Sequence, residues 1–121
     1  MVAVARILVS VRDPERQAAL FARMFGAGAM TAGPLGRRIL KAGEAVVEFA
    51  PHDVVAAELG AAAPDPAGRG DHMAMLGLKV RDVRQTVAVL RANGIAGIEE
   101  TPAGLRVPAA AAMNTTVDFM A

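Results

Sequence analysis

Two acidic residues stand in matching surroundings, and their type allows them to take up protons or to hold metal ions. Glu48 and Asp118 each lie between a valine and a phenylalanine, 70 residues apart. A carboxylate can act as a general base or as an oxygen ligand for a divalent cation. The repeated setting indicates that both residues occupy equivalent places in a duplicated structure.

A second repeat indicates which elements must position these residues. The segment Val-Arg-Asp at 11–13 recurs at 80–82, an offset of 69 residues. Each copy ends an alternating apolar run, which predicts a strand, and its aspartate is a natural N-cap for the helical pattern that follows. Shorter strands are predicted after each helix, so each half of the sequence is predicted to be a βαβββ module.

The predicted elements have the same order in both halves. The first half has a strand at 4–11, a helix from Pro14 to the glycines after Phe25, a strand ending near Thr31, and a hairpin of strands at 37–41 and 45–49. The second half has a strand at 73–80, a helix from Val83 to the stop at Asn93-Gly94, and strands at 95–99, 105–107 and 115–120. Helical spacing predicts the buried helix faces, which comprise Leu20, Phe21, Met24 and Phe25 in the first helix and Val83, Val87 and Leu90 in the second.

A linker at 53–71 is predicted between the modules. It begins with a short helix capped by Asp53 and ending at Leu59, followed by a loop rich in proline and glycine. Neither module has enough core to stand alone, so we predict one domain over 1–121, with module one at 1–52 and module two at 72–121. The fold class is α+β.

The composition argues against several classes of function. Hydrophobic residues make up 54% of the chain, and the net charge is +1 with no basic run, which argues against a nucleic-acid partner. No apolar stretch reaches the roughly 20 residues of a membrane helix, and the first residues do not resemble a signal peptide. The absence of cysteine excludes disulfides and thiolate metal sites. We expect a cytoplasmic protein.

On these segments the sequence resembles the vicinal oxygen chelate superfamily, which includes glyoxalases, bleomycin resistance proteins and extradiol dioxygenases. The resemblance covers essentially the whole chain and rests on ILVSVRDPERQAALFARMFG, LKVRDVRQTVAVLRANGI and RVPAAAAMNTTVDF. The last segment is similar to the closing hairpin of glyoxalase-like and methylmalonyl-CoA-epimerase-like members. The resemblance implies two tandem βαβββ modules that form a cupped mixed sheet around a cavity.

The resemblance also implies a divalent metal, held by residues of the first and last strand of each module. Those positions fall on Arg6, Glu48, Met75 and Asp118. A guanidinium repels a metal, and a thioether is a poor ligand for the hard or borderline metals of this family. We therefore predict that the metal site is lost and that there is no cofactor. A metal, if bound, would be zinc, nickel, manganese or iron.

Arg6 provides the sharpest hypothesis for ligand binding. Strand alternation puts Arg6 and Ser10 on one face, which by the resemblance lines the cavity with Glu48 and Asp118 opposite. The guanidinium would hold an anionic group of the ligand, or leave one carboxylate free as a general base. Glu48 and Asp118 are therefore the predicted catalytic residues. The alternative is a salt bridge that plugs an inactive site.

Three further residues complete the predicted ligand site. Lys79 shares a strand face with Met75, although a lysine that extends to solvent is the alternative. Met75 and Met120 are predicted to line the pocket, because flexible thioethers suit an apolar ligand of irregular shape. Arg37 and Arg38 place one arginine on each face of their strand. Contact of one of them with an anionic ligand is the alternative, and a solvated charge is the default interpretation for both.

The only two histidines, His52 and His72, are candidate metal ligands with a plainer alternative. His72 lies three residues before Met75, an odd offset that directs it to the opposite sheet face unless a bulge intervenes. His52 follows Pro51 and is predicted to lie in a loop. A surface or capping role is the plainer interpretation of both rings.

Three functions are consistent with these residues. The leading one is a metal-free, glyoxalase/bleomycin-resistance-like protein that binds a small, largely aliphatic molecule with an anionic or oxygen-rich end, and that either sequesters it or isomerises it by proton transfer. The second is a metal-dependent lyase or isomerase of glyoxalase or epimerase type with unusual ligands, including a displaced His72. The third is a non-catalytic domain whose cup is filled by its own side chains.

The expected partners are a small molecule and a second copy of the chain. A homodimer is predicted, joined through an exposed sheet edge or through the apolar segment AAELGAAAP at 56–64. An exchange of modules between the two copies is left open.

Overall fold

A mixed β-sheet of eight strands forms the centre of the molecule. The computed structural model describes residues 3–66 and 68–121. Along the chain the strands are β1 (Ala3–Val11), β2 (Met30–Ala32), β3 (Arg38–Ala42), β4 (Ala45–Pro51), β5 (His72–Lys79), β6 (Glu99–Thr101), β7 (Gly104–Val107) and β8 (Thr116–Met120). Their order in the sheet is β2-β3-β4-β1-β5-β8-β7-β6.

The order of the strands repeats about the middle of the sheet. The first strands of the two modules, β1 and β5, pair antiparallel at the centre. Each also pairs in parallel with the last strand of its own module, β1 with β4 and β5 with β8. The predicted α+β fold with two consecutive βαβββ units in one cupped mixed sheet is confirmed.

Three α-helices accompany the sheet: α1 (Pro14–Phe25), α2 (His52–Leu59) and α3 (Val83–Ala92). The predicted N-caps of α1 and α3 are confirmed. The Asp13 side chain accepts a hydrogen bond from the Glu15 backbone N–H at 3.1 Å, and that of Asp82 accepts one from the Arg84 N–H at 2.9 Å. No helix in the described part of the chain is long and apolar enough to cross a membrane.

The helices lie on opposite faces of the sheet. On one face, α1 packs against the first module and α3 against the second, and the Phe21 ring lies 5.3 Å from the Phe49 ring. On the other face, which we call the α2 face, lies α2, the helix of the linker. Its Val55 and Leu59 are buried against Leu8 and Met75 in the largest group of fully enclosed side chains. We call these four residues the central core.

A β-bulge determines on which face of the sheet the first residues of β5 lie. Leu8 pairs with Met75, but the next β1 residue, Val9, pairs with Met73, so Ala74 is an extra residue in β5. Paired residues share a sheet face, so Ser10 and its partner His72 both lie on the α2 face. The facing predicted for His72 from its odd offset is therefore wrong, and the bulge is the physical reason.

The structure differs from the predicted elements in three places. The strand predicted at 95–99 begins only at Glu99, because Gly94 and Gly97 adopt positive φ, and a Cβ on Gly97 would meet Pro108 at 2.9 Å. His52 starts α2 instead of lying in a loop, and Asp53 lies in the first turn with Pro51 at the cap position. The apolar face predicted for α1 is partly exposed at Leu20, Met24 and Phe25.

Candidate functional site

Arginine and carboxylate side chains converge at one end of the α2 face. Five come from the strands and the residue before β3, and one comes from α2. The group, which we call the arginine–carboxylate network, consists of Arg6, Arg37, Glu48, Glu58, Arg106 and Asp118. Three positive and three negative charges sum to zero. All six side chains are at most 25% exposed, so solvent screens the charges only in part.

Two arginines share two glutamates within this network. Arg6 donates through Nε to Glu48, and its Nη2 lies 3.0 Å from Glu58 Oε2. Arg37 Nη1 lies 3.1 Å from Glu48 Oε1, and its Nη2 lies 2.5 Å from Glu58 Oε1. Each glutamate is thus held by both guanidinium groups.

The network alters the proton affinity of its members. Burial alone would raise the pKa of Glu58, but the hydrogen bond from Arg37 and the positive charges of Arg6 and Arg37 outweigh it, so the pKa is lowered. Burial alone would lower the pKa of Arg6, but its hydrogen bond and charge interaction with Glu48 and the charge of Glu58 raise it. Both groups are therefore held in their charged forms.

Arg106 and Asp118 form a bidentate pair across the β7–β8 hairpin. Nε and Nη2 of Arg106 donate to the two carboxylate oxygens of Asp118 at 2.7 and 2.8 Å. This hydrogen bonding is the main reason that the pKa of Arg106 is raised. The same arginine reaches the Glu58 carbonyl oxygen at 3.5 Å, which connects the pair to the end of α2.

One buried donor in the network has no partner. Arg37 Nε makes no hydrogen bond to any of the residues that the structure describes, although the residue is only 8% exposed. A buried N–H without an acceptor costs free energy. An oxygen atom supplied from outside would satisfy it.

Two of the predicted ligand-binding residues lie on the outer side of Arg6. Gly77 pairs with Arg6, and a Cβ there would stand 3.0 Å from the Met120 side chain and 3.1 Å from Arg6 Cβ. Met120 therefore packs beside Arg6 over a position where only glycine leaves room. Lys79 lies two residues after Gly77 in β5, and its side chain is exposed.

The other two predicted ligand-binding residues are not at this end. Met75 is completely buried in the central core beneath α2, so it does not line an accessible pocket. This differs from the prediction because the linker helix covers the part of the face that strand alternation assigned to a cavity. Ser10 lies beyond the central core, at the opposite end of α2 from the network.

At that opposite end, the start of α2 and the linker loop line a cavity of about 480 Å³ that is largely apolar and open to solvent. Val55, Ala63 and Pro64 contribute apolar surface to it, and polar atoms come from Ser10, His52 and His72. We call it the histidine cavity. Ser10 Oγ lies 2.6 Å from Nδ1 of His52, and the imidazole rings of His52 and His72 are 6.1 Å apart with their planes 11° from parallel.

The residues at the family's metal positions do not suit a metal ion. The Glu48 carboxylate is held by Arg6 and Arg37, the Asp118 carboxylate is bound at both oxygens by Arg106, and Met75 is enclosed. Within residues 3–66 and 68–121, no three His, Asp or Glu side chains are grouped so as to hold a metal. This donor chemistry supports no step that passes through a bound metal.

Sequence reasoning did not find Glu58 or Arg106, and it treated Arg37 as solvated. A signal exists for each of them. Glu58 is the one charged residue on the side of helix α2 that carries Val55 and Leu59, to which it is related by helical spacing. Arg106 stands directly opposite Asp118 in a hairpin that the sequence predicts. Arg37 shares strand parity with Ile39, which pairs with Glu48.

The sequence was compared with protein families and curated proteins. The sequence model of the Glyoxalase/Bleomycin resistance protein/Dioxygenase superfamily matches residues 3–109. No curated protein matches the chain significantly.

Solved structures with the same fold include epimerases. Methylmalonyl-CoA epimerase from Mycobacterium tuberculosis superposes with a TM-score of 0.61 at 16% identity, over 99% of this chain and 91% of that one. A variant of the Streptomyces coelicolor methylmalonyl-CoA epimerase, in complex with 2-nitronate-propionyl-CoA, gives 0.63 at 12% identity over 98% and 93%. A hypothetical protein from Bacillus halodurans C-125 gives 0.61 at 15% identity over 98% and 92%. At these identities the likeness concerns the fold.

Proposed function

The chain belongs to the glyoxalase/bleomycin resistance protein/dioxygenase superfamily, and from that premise we propose that it binds a small molecule without a metal. The ligand carries an anionic or oxygen-rich end on a largely aliphatic body. One observation carries the proposal: two guanidinium groups, Arg6 and Arg37, share the carboxylate of Glu58. A site that holds one carboxylate in this way is built to hold another.

Glu58 is the carboxylate that a ligand would replace. It is the only acid of the network that comes from α2 and not from the sheet. When the anionic end of a ligand takes its place, the charge balance at the guanidinium groups is preserved. A ligand oxygen would also supply the acceptor that Arg37 Nε lacks among the described residues. Lys79 and Met120 would then contact the rest of the ligand at the outer edge.

Binding is better supported than catalysis at this site. Glu48 is held by two arginines and Asp118 by a bidentate one, so the oxygens of both carboxylates are already occupied by guanidinium groups. The catalytic roles of Glu48 and Asp118 stay a prediction. The metal-dependent lyase or isomerase is the less supported alternative, since the donor set does not suit zinc, nickel, manganese or iron.

A second candidate is isomerisation by proton transfer, as expected of an isomerase of glyoxalase type. The observation that favours it is the fold shared with methylmalonyl-CoA epimerases, together with two carboxylates on the α2 face. Incubation of a bound ligand in deuterium oxide distinguishes the two candidates. Deuterium uptake at carbon that is lost in Glu48→Gln supports proton transfer, and no uptake supports binding alone.

Self-association and location are also part of the proposal. We expect a cytoplasmic homodimer with no nucleic-acid partner. In the segment at 56–64, Leu59 and Ala62 are buried, which leaves Ala56, Ala57 and Ala61 as its exposed apolar side chains. The exposed apolar side chains of α1, which are Leu20, Met24 and Phe25, are the better candidates. Analytical ultracentrifugation of wild type and Phe25→Lys tests this.

Titration calorimetry with hexanoate tests the binding proposal. Wild type should bind it, Arg6→Met should weaken binding about tenfold, and Glu58→Gln should strengthen it severalfold, because a competing charge is removed. Arg38→Gln, on the opposite sheet face, is the matched control and should leave the affinity unchanged. Equal affinity in wild type and Arg6→Met would overturn the proposal, as would stoichiometric metal binding that raises the melting temperature.

A further inference from the structure

We propose that the histidine cavity is a second binding site, separate from the arginine–carboxylate network, and that it takes a neutral alcohol or phenol with an apolar body. The cavity lies between the start of α2, the end of β1 and the linker loop. The central core separates it from the network. Its size suits a small organic molecule.

The hydrogen bond of His72 defines the polar atom that this ring presents. His72 Nδ1 lies 2.8 Å from the Gly70 carbonyl oxygen. A carbonyl only accepts, so Nδ1 carries the proton and donates it. In the neutral ring the remaining nitrogen, Nε2, is then an acceptor. Within the described residues it has no hydrogen-bond partner.

The contacts of His52 lead to the opposite assignment. Ser10 is 2% exposed, and the contact of its hydroxyl with His52 Nδ1 is the only hydrogen bond that the described residues offer it. The buried hydroxyl proton is satisfied only if Ser10 donates to Nδ1. His52 then carries its proton on Nε2, where the Asp71 carboxylate at 3.8 Å favours a positive hydrogen but is too far for a hydrogen bond.

The two rings therefore offer one donor and one acceptor at the same wall of an apolar cavity. A hydroxyl group accepts from the first and donates to the second with a single atom. A carboxylate, which only accepts, would satisfy His52 and leave His72 without a donor. The charged side chains at the cavity, Arg69 and Asp53, are of opposite sign, so they provide no net attraction for an anion.

The walls of the cavity are held in place without a ligand. The Asp71 carboxylate accepts from the Arg12 backbone N–H at 2.9 Å, which ties the end of the linker to β1. Thr116 Oγ1 donates to the Ala62 carbonyl at 2.6 Å, which ties its beginning to β8. Between them, Asn114 Oδ1 accepts from the Asp65 backbone N–H at 2.7 Å. A site fixed at several points binds with little ordering cost.

Three probes with one carbon skeleton test the proposal: benzyl alcohol, toluene and benzoate. Residue-resolved NMR titration of the full chain should show benzyl alcohol shifting signals of residues 52–56 and 68–72, with an affinity about five- to tenfold above that of toluene. His72→Phe keeps the ring shape and removes the acceptor, so it should abolish this preference and leave toluene binding unchanged. Arg6→Met is the control and should alter neither titration.

Benzoate separates this site from the network. If the binding proposed for the network is correct, benzoate shifts signals around Arg6 and loses that effect in Arg6→Met, while the histidine cavity responds to benzyl alcohol in both proteins. Benzoate bound at the histidine cavity more tightly than benzyl alcohol would overturn the hydroxyl assignment. Failure of all three probes to perturb residues 52–56 and 68–72 would overturn the site itself.

The tautomers give a check that needs no variant. Nitrogen chemical shifts of the neutral imidazoles in wild type should place the proton on Nδ1 in His72 and on Nε2 in His52. The same proton position in both rings would contradict the pairing of one donor with one acceptor.

Discussion

The two ends of the α2 face carry polar groups of different kinds and in different surroundings. At one end, six charged side chains neutralise one another, and the Nε–H of Arg37 is a buried donor with no acceptor among the residues that the structure describes. At the other end, the exposed His52 and the half-buried His72 border a largely apolar cavity, and their outer nitrogens make no hydrogen bond to the described residues. The same helix closes both. Both ends lie on one sheet face, and they differ in the strand residues that point toward α2 and in the linker residues that cover them.

The largest expected effect on stability comes from truncating Leu8, a residue of the central core that separates the two ends. Leu8→Ala should lower the free energy of unfolding by about 3 kcal/mol, because Leu8 is completely enclosed beneath α2 and truncation leaves a cavity. Chemical denaturation measures this. Leu20→Ala makes the same change at an exposed helical position and should cost less than about 1 kcal/mol. Equal losses in the two variants would mean that α2 does not seal this face.

The bidentate pair at the charged end should give the next largest effect. Asp118→Asn should destabilise the protein by about 2 kcal/mol, because Arg106 would keep its charge in a partly enclosed place with one strong acceptor fewer. A double-mutant cycle with Arg106→Gln isolates the pair. A coupling free energy near zero would show that the network is solvated and that the contrast between the ends is smaller than the distances indicate.

Acid should affect the charged end through Glu58. Its pKa is lowered in the folded protein, so its contribution to stability is complete above its ordinary pKa of 4.5 and is lost as the pH falls through the folded value. The difference in unfolding free energy between wild type and Glu58→Gln should shrink as the pH drops from 7 to 3. Glu44→Gln, in the exposed β3–β4 turn, is the control. A difference that stays constant over this range would contradict the role assigned to Glu58.

Two adjacent arginines give the smallest effect and a direct contrast. Arg38 pairs with Glu15 on the α1 face, where Glu15 is 69% exposed, so Arg38→Gln should change the unfolding free energy by less than about 0.5 kcal/mol. Arg37→Gln, one residue earlier but within the network, should cost about 2 kcal/mol. Thermal and chemical denaturation of the pair would be expected to rank them in that order.

The sequence predicts the fold more completely than the site. The repeated Val-Arg-Asp segments reveal the duplication because each marks the end of a strand and the cap of a helix. Both features depend on residues that are close together in the sequence. Met75 was expected to line a pocket because strand alternation predicts the sheet face on which it lies. Strand alternation does not predict which other element covers that face. The cover is α2, and its packing depends on contacts between residues far apart in the chain. Glu58 was missed for the same reason.

The extra residue in β5 also has a genetic consequence. Because Ala74 is the extra residue of the bulge, loss of its single codon would leave the pairs of Leu8 with Met75, Val9 with Met73 and Ser10 with His72 in regular alternation. The imidazole would stay on the α2 face, two residues from Met75. An in-frame deletion of three nucleotides would thus remove the bulge and leave the residues of both ends on the face that they occupy now.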